Sequence, residues 1–155
     1  MAKTVKKIPD GYTAVTPYLT IKGAAQAIEF YKKAFGATEI LRMPGPGGRI
    51  MHAEVKIGNS ILMLSDENPE RGFFSPSTTG KATSSIMLYT DDVDATFKRA
   101  VGAGAKQQQP PTDMFWGDRM GNLTDPFGHT WAIATHKEDV SPEEMGRRMK
   151  EQQPA

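Results

Sequence analysis

Cysteine is absent from the 155-residue chain. This absence excludes disulfides, thiolate metal sites, iron–sulfur clusters and a cysteine nucleophile. No apolar run approaches the roughly 20 residues that span a bilayer, and the lysines near the start lead into a polar segment rather than an apolar signal core. An excess of one charge is also missing, because 19 Lys and Arg stand against 18 Asp and Glu. We therefore expect a soluble, cytoplasmic protein with neither nucleic acid nor a membrane as its partner.

The residues that are present suffice for one compact unit. Hydrophobic residues make up 38% of the chain, and 15 Gly bring the apolar share near the value usual for globular proteins. A chain of this length buries most of its unfolded surface without help from a metal or a disulfide. Residues 1–155 are accordingly predicted to form a single domain.

Two halves of the chain repeat one order of elements. The periodicity of the first half predicts, in order, a strand over 13–21, a helix from residue 24 to Gly36, and strands over 37–43, 50–57 and 60–64. The second half is predicted to contain a strand over 83–90, a helix ending at Gly102 or Gly104, a loop over 107–112 (QQQPPT), and two strands around the turn 125–128. The repetition indicates duplication, with module one over about 12–68 and module two over about 82–136.

Capping residues support these helix boundaries. Asp91 or Asp92 can cap the second helix, whose apolar face is formed by Val93, Phe97, Ala100 and Val101. The segment 141–144, Ser-Pro-Glu-Glu, has the form of a capping box with proline at the first helical position. It predicts a C-terminal helix to about residue 152, which packs on the surface or on a partner subunit.

Three segments and their spacing resemble the vicinal oxygen chelate superfamily, which includes glyoxalases, bleomycin-resistance proteins and extradiol dioxygenases. They are TPYLTIKGAAQAIEFYKKAFGA, HAEVKIGNSILMLSDE and WGDRMGNLTDPFGHTWAIATH, with SPEE following. Together they are most similar to the PhnB-like branch, over about residues 13–149. The resemblance implies an α+β fold in which two βαβββ modules form a curved mixed sheet. It also implies helices on the convex side, a cavity on the concave side, and a homodimer.

Strand alternation predicts which residues line that cavity, because the helices must cover the opposite face of the sheet. Apolar positions such as Val15, Leu19, Val55, Trp131 and Ile133 are assigned to the helix side. The cavity side is then predicted to receive Thr16, Tyr18, Thr20, His52, Glu54, Lys56, Ser85, Met87, Tyr89, Thr130, Ala132 and Ala134.

The resemblance also implies where a divalent ion would be held, since metal-dependent relatives use the first and last strand of each module. The corresponding positions here are Thr16, Leu62 or Met63 (depending on register), Ser85 and Ala132. None is His, Glu or Asp, whereas such an ion needs three or four imidazole or carboxylate donors. We therefore predict no metal and no cofactor at these positions.

His52 and Glu54 are the candidates for catalysis. They lie two residues apart on one predicted strand, on the same face and about 7 Å from each other. They can act as a general base with a carboxylate partner, or as two metal ligands. The alternative is a strand face that is merely solvated or hydrogen-bonded.

Aromatic and charged residues of module two are further candidates for ligand binding. Tyr89 and Trp116 can stack on an aromatic ligand, or pack in the core. Asp118 and Arg119 can orient a polar ligand, or form an ion pair within a turn. His129 and His136 are expected to be surface groups.

These features predict a metal-independent protein that sequesters an amphipathic or aromatic ligand, as bleomycin-resistance proteins do. The near-neutral charge argues against a strongly cationic ligand. The alternative is a lyase or isomerase on the same fold that uses His52 and Glu54. A third hypothesis is an interaction module without a ligand, with the C-terminal helix as its contact.

Overall fold

The computed structural model describes residues 5–152, and the chain divides into two compact units over 1–82 and 83–155. The first unit contains β1 (Tyr18–Ile21), α1 (Ala24–Phe35), β2 (Thr38–Pro44), β3 (Ile50–Ile57), β4 (Ser60–Asp66) and the short α2 (Pro76–Thr79). The second contains β5 (Ser85–Tyr89), α3 (Val93–Gly102), β6 (Lys106–Asp113), β7 (Asp118–Thr124), β8 (Thr130–His136) and α4 (Pro142–Glu151). Within 5–152, no helix has the length and apolarity that a bilayer crossing requires.

The two units share one topology. Their sheets have the strand orders β1-β4-β3-β2 and β5-β8-β7-β6. In each, the first strand runs parallel to the last one and the remaining pairs are antiparallel. A helix after the first strand supplies the long connection that a parallel pair needs. The predicted α+β fold of two βαβββ modules with a C-terminal helix is confirmed; that the whole chain is one domain stays a prediction.

Helix α1 begins without a side-chain cap of its own. Gly23 precedes it in the left-handed region, with φ of 95°, and the exposed N–H groups are satisfied from β4 instead. Asp66 Oδ1 accepts hydrogen bonds from the N–H groups of Gly23 and Ala24, at 3.0 and 2.9 Å. Asp66 Oδ2 accepts a third from Ile50 N–H at 2.7 Å. One carboxylate thus joins the start of α1 to β3 and β4, while Ala27, Ile28, Tyr31 and Phe35 bury the predicted face of the helix.

The first strand is shorter than the sequence predicts. Pairing begins at Tyr18, so Thr16 lies outside β1 in an irregular segment, and Val15 is 84% exposed rather than part of the core. Pro17 marks the boundary because its nitrogen carries no hydrogen, although its carbonyl accepts from Met63 N–H at 2.9 Å. Leu19 is buried as predicted.

Residues 107–112 were predicted to form a loop, and that prediction is wrong. They lie in β6, the outermost strand of the second sheet. Pro110 and Pro111 are tolerated there because an edge strand needs hydrogen bonds on one side only, and the pairing with β7 shifts register twice. Gly121 lies on β7, next to this part of β6. A Cβ added to Gly121 would come within 2.8 Å of Phe97 Cε2 and 2.9 Å of Pro111 N.

Two further details of the second unit differ from expectation. Val101 is 39% exposed, so the apolar face of α3 consists of Val93, Phe97 and Ala100 alone. Ala134 is fully buried although alternation assigned it to the open face, because the larger residues Tyr89 on β5 and Met120 on β7 flank this small side chain within the sheet.

Carboxylates fix the turns and caps of this unit. Asp92, not Asp91, caps α3 by accepting from Ala95 N–H at 3.0 Å. The buried Asp125 accepts from the N–H groups of Phe127 and His129 and from Trp131 Nε1–H, at 2.9 to 3.0 Å. The DPFGHTW segment is therefore a self-closing turn that positions Trp131 in the core.

The predicted C-terminal helix begins as expected. Ser141 Oγ accepts from Glu144 N–H at 3.2 Å. The Glu144 carboxylate pairs with Arg147 and Arg148, which lower its pKa to about 2. Arg148 also pairs with Glu138 at 2.8 Å, which ties α4 to the segment before it.

Candidate functional site

The first unit contains a cavity of about 630 Å³ at one end of its sheet. Strands β1, β3 and β4 and the loop after β4 supply its walls: Tyr18, Thr20, Met51, Ser65, Asp66 and Phe73, together with Arg49 and Arg71. Three of the apolar side chains remain largely exposed, Tyr18 at 50%, Met51 at 49% and Phe73 at 56%. The volume lies within the range typical of small-molecule sites.

The strand register places Tyr18, Met63 and Glu54 side by side on one face of the first sheet. Tyr18 opposes Met63 in the parallel pair, and Met63 opposes Glu54 in the antiparallel pair. Leu62 is buried on the other face against Val55. The register that the sequence left open therefore brings Met63, not Leu62, to the face of Tyr18.

A chain of hydrogen bonds runs across this face. Tyr18 Oη lies 2.8 Å from His52 Nδ1, and His52 Nε2 lies 2.9 Å from Glu54 Oε1. The second carboxylate oxygen of Glu54 accepts from the hydroxyl of Tyr12. His52 and Glu54, predicted as a pair, are thus hydrogen-bonded to each other. Each also bonds a tyrosine hydroxyl, His52 that of Tyr18 and Glu54 that of Tyr12.

The carboxylate fixes the direction of these bonds. Burial acts to raise the pKa of Glu54, but hydrogen bonds from His52 and Tyr12 outweigh it and hold that pKa below its usual value. An ionised Glu54 only accepts, so it takes the Nε2–H proton of His52. Nδ1 of a neutral imidazole is then left as the acceptor for the Tyr18 O–H. In this arrangement the Tyr18 oxygen donates its proton to His52 and retains lone pairs as acceptors on the cavity wall.

The second unit has a different polar cluster, centred on the buried Asp118. Its carboxylate accepts from Tyr89 Oη at 3.0 Å and Trp116 Nε1 at 3.2 Å, and Oδ1 lies 2.7 Å from His136 Nδ1. His136 Nε2 in turn lies 2.9 Å from Asp139 Oδ1. Hydrogen bonds to these two carboxylates raise the pKa of His136, and the bond to Asp118 raises the pKa of Tyr89.

Asp118 and Arg119 have separate partners, and their role in orienting a ligand stays a prediction. They alternate on β7, and Arg119 pairs with Asp94 at 2.7 Å and Asp113 at 3.2 Å. Trp116 packs edge-on against Phe115, with ring centroids 4.9 Å apart. The sequence therefore predicted Tyr89, Trp116 and Asp118 as separate candidates, whereas the structure brings those three together without Arg119.

The other predicted ligand-binding residues have separate environments. Ser85 and Met87 are exposed on β5 alongside Tyr89, in the predicted alternation. Ala132 is buried between Met87 and Asn122. Thr16 donates to the carbonyl of Thr13 at 3.3 Å.

The positions that the resemblance implies for a metal carry side chains that do not fit a divalent ion. Thr16 and Ser85 offer hydroxyls, Met63 offers a thioether and Ala132 offers no donor atom at all. Elsewhere in residues 5–152, no three His, Asp or Glu side chains converge as a metal centre requires.

Several residues of these clusters carried no usable sequence signal. Tyr12 lies before β1, where no periodicity gives a direction, and Arg71 and Phe73 lie in an irregular loop. His136 was expected to be a surface group; it is exposed, but both its nitrogens are engaged. A signal was available for His136 alone, since its position at the end of β8 sets it across from Asp118 on β7.

Comparison with known sequences finds a matching family model and related proteins. The profile of the Glyoxalase/Bleomycin resistance protein/Dioxygenase superfamily matches residues 12–133. An uncharacterised protein of Mycobacterium bovis is 39% identical over 142 residues, which cover 90% of this chain and 93% of the relative. Protein YjdN of Escherichia coli is 27% identical over 151 residues, which cover 80% of this chain and 96% of the relative.

Solved structures share the architecture. TioX from Micromonospora has a TM-score of 0.62 at 26% identity, over 80% of this chain and 98% of that chain. The PhnB protein of Bacillus cereus, described as a putative 3-demethylubiquinone-9 3-methyltransferase, has a TM-score of 0.62 over 79% of this chain and 99% of that chain. At 17% identity, this second likeness concerns the fold alone.

Proposed function

The chain belongs to the Glyoxalase/Bleomycin resistance protein/Dioxygenase superfamily, and on that premise we propose that it is a metal-independent small-molecule binding protein. Its ligand is amphipathic or aromatic and occupies the cavity of the first unit. The observation that carries the proposal is the exposure of Tyr18, Met51 and Phe73 on the walls of that one cavity. Clustered apolar side chains that face a concave, partly polar space mark a binding site more often than an ordinary surface.

The hydroxyl groups of the cavity suit a ligand with a polar end. Thr20, Ser65 and Tyr18 offer donors and acceptors beside the apolar walls. Such a mixture orients an amphipathic molecule better than a uniformly apolar one. We further expect a homodimer, as the family resemblance implies, and analytical ultracentrifugation measures this directly.

Thermal-shift measurements with a panel of aromatic metabolites and antibiotics, made both with and without EDTA, test the proposal. Ser65→Phe fills the cavity and is expected to abolish the shifts that the wild type shows. Ser60→Phe, at the start of the same strand and outside the cavity, is the matched control and is expected to keep them. Shifts that disappear with EDTA, or that survive Ser65→Phe, would contradict the proposal.

The Tyr18–His52–Glu54 chain favours a second candidate, a lyase or isomerase that moves a proton. Here the Tyr18 oxygen accepts a proton from a bound substrate as its own proton passes to His52 Nδ1, while Glu54 holds the imidazole. Exchange of ligand hydrogens with deuterated solvent, followed by NMR, tests this role. His52→Gln is expected to stop the exchange and to leave binding intact; unchanged exchange would refute the catalytic role.

A further inference from the structure

The charged residues on the walls of the first-unit cavity are not balanced. Arg49 and Arg71 line it, and Asp66 is the one carboxylate among its lining residues. Asp66 already accepts three backbone hydrogen bonds, from Gly23, Ala24 and Ile50. Its two oxygens are therefore directed at backbone N–H groups, and neither forms an ion pair with Arg49 or Arg71.

Neither guanidinium has a carboxylate partner among residues 5–152. Arg49 donates one N–H to the carbonyl of Glu67 and forms no ion pair. The guanidinium of Arg71 makes no hydrogen bond or ion pair with any residue that the structure describes, although its backbone N–H donates to the Asn68 carbonyl at 3.0 Å. Four of the other five arginines, Arg42, Arg119, Arg147 and Arg148, are paired with acidic side chains, and Arg99 donates to the Thr96 hydroxyl.

We propose that the cavity selects an organic anion, with a carboxylate, sulfonate or phosphate group held by Arg71 and Arg49 and an aromatic body lying against Tyr18, Met51 and Phe73. The planar guanidinium donates parallel hydrogen bonds to such groups, which an uncharged molecule of the same shape cannot exploit. The selection is local, since the chain as a whole carries a net charge of only +1. This inference rests on the proposed binding function and specifies its ligand class.

Two fluorescent probes of one aromatic skeleton separate charge from shape. Anilinonaphthalene sulfonate carries the anion, and N-phenylnaphthylamine lacks it. Titrated into the folded full-length protein, the sulfonate is expected to bind more tightly. Added salt is expected to lower the affinity for the sulfonate and to leave the affinity for the neutral probe nearly unchanged, because exposed charges are screened. Ser65→Phe is expected to weaken both.

Charge-removing variants identify the group responsible. Arg71→Gln and Arg49→Gln are each expected to lower the affinity for the sulfonate about tenfold, because each loses one charge-assisted contact. Neither is expected to change the affinity for the neutral probe. Lys98→Gln, on α3 of the second unit, removes the same charge elsewhere and is expected to change neither affinity. Arg71→Lys keeps the charge and is expected to retain most of the binding; thermal unfolding of each variant confirms that it is folded.

The outcomes distinguish the two proposals. Equal affinity for both probes, with Arg71→Gln and Arg49→Gln silent, would overturn anion selection and leave the binding cavity standing. An equal loss of sulfonate affinity in Lys98→Gln would also overturn it, because the effect would then follow net charge. Failure of both probes to respond to Ser65→Phe would overturn the cavity itself.

Discussion

The two units share one strand order but use histidine in opposite ways. In the first, His52 lies between a tyrosine hydroxyl and a carboxylate, and this series of hydrogen bonds begins at Tyr18, on the wall of a cavity. In the second, His136 lies between two carboxylates, which favour the charged imidazolium. The comparison teaches that a shared strand order does not imply a shared site, because chemistry depends on the few side chains that face each histidine.

The largest expected difference between the units concerns glycine. Gly121→Ala in the second unit forces a Cβ against the Phe97 ring and the backbone of β6, and neither can give way. We expect a loss of about 3 kcal/mol of unfolding free energy, as for overpacked cores. In the first unit, Gly45→Ala meets only the flexible Met51 side chain and is expected to cost less than about 1 kcal/mol.

Chemical denaturation of both variants measures this difference. Gly146→Ala is the control, because nothing lies within 4 Å of its added Cβ and alanine favours the helix. A Gly121→Ala variant as stable as the wild type would show that β6 is free to move away from β7.

The next effect compares the carboxylates that organise each backbone. Asp125→Ala removes the acceptor of the buried Trp131 N–H and of two turn N–H groups, and is expected to cost about 2–3 kcal/mol. Asp66→Ala in the first unit removes a cap that solvent can partly replace, so we expect about 1–2 kcal/mol. Denaturant midpoints report both, and a reversed order would contradict the burial argument.

The units are also expected to respond to pH in opposite directions. The pKa of His136 is raised in the folded protein, so its bonds stabilise the fold below about pH 6.5 and this contribution is lost as pH rises through the raised pKa. His136→Gln is therefore expected to lower the melting temperature more at about pH 5.5 than at about pH 9. An equal loss of melting temperature at both pH values would show that the charged imidazolium does not contribute to stability.

The contribution of Glu54 to stability changes with pH in the opposite direction. Its pKa lies below the usual 4.5, so its contribution is present above that value and is lost as pH falls through the lower folded value. Glu54→Gln is expected to lower the melting temperature at about pH 7 and to have less effect at about pH 3. Melting curves at the two values test this, with Glu70→Gln as an exposed control in the same unit.

The smallest effects are expected from the surface ion pairs. Arg42→Gln in the first unit and Arg119→Gln in the second each break a pair with two acidic partners. Both guanidiniums remain partly exposed, so each loss is expected to stay below about 1 kcal/mol in denaturation at moderate salt. A larger loss for Arg119 alone would mean that its bridge between Asp94 and Asp113 holds α3 to the sheet.

The sequence predicted the elements better than the contacts. Periodicity and glycine gave α1 and its end at Gly36, and alternation gave Leu19 and Val55 as core residues, because one apolar face must be buried. The Gln- and Pro-rich segment over 107–112 was assigned to a loop because proline suggests a break, whereas an edge strand accepts it.

The site was predictable only within single strands. His52 and Glu54 share a strand, so a spacing of two residues sufficed to pair them. Tyr12, Arg71 and Phe73 reach the same region from irregular segments, whose direction is set by tertiary contacts that no local pattern encodes. The Asp118 cluster was missed as a unit for the same reason, since it joins three strands and the segments flanking them.

The consecutive prolines of β6 have a consequence for self-association. They lie on the outermost strand of the second sheet, and neither can donate a backbone hydrogen bond to a newcomer. A foreign extended peptide therefore finds an interrupted ladder along this border, which protects the sheet against fibril-like growth by strand addition.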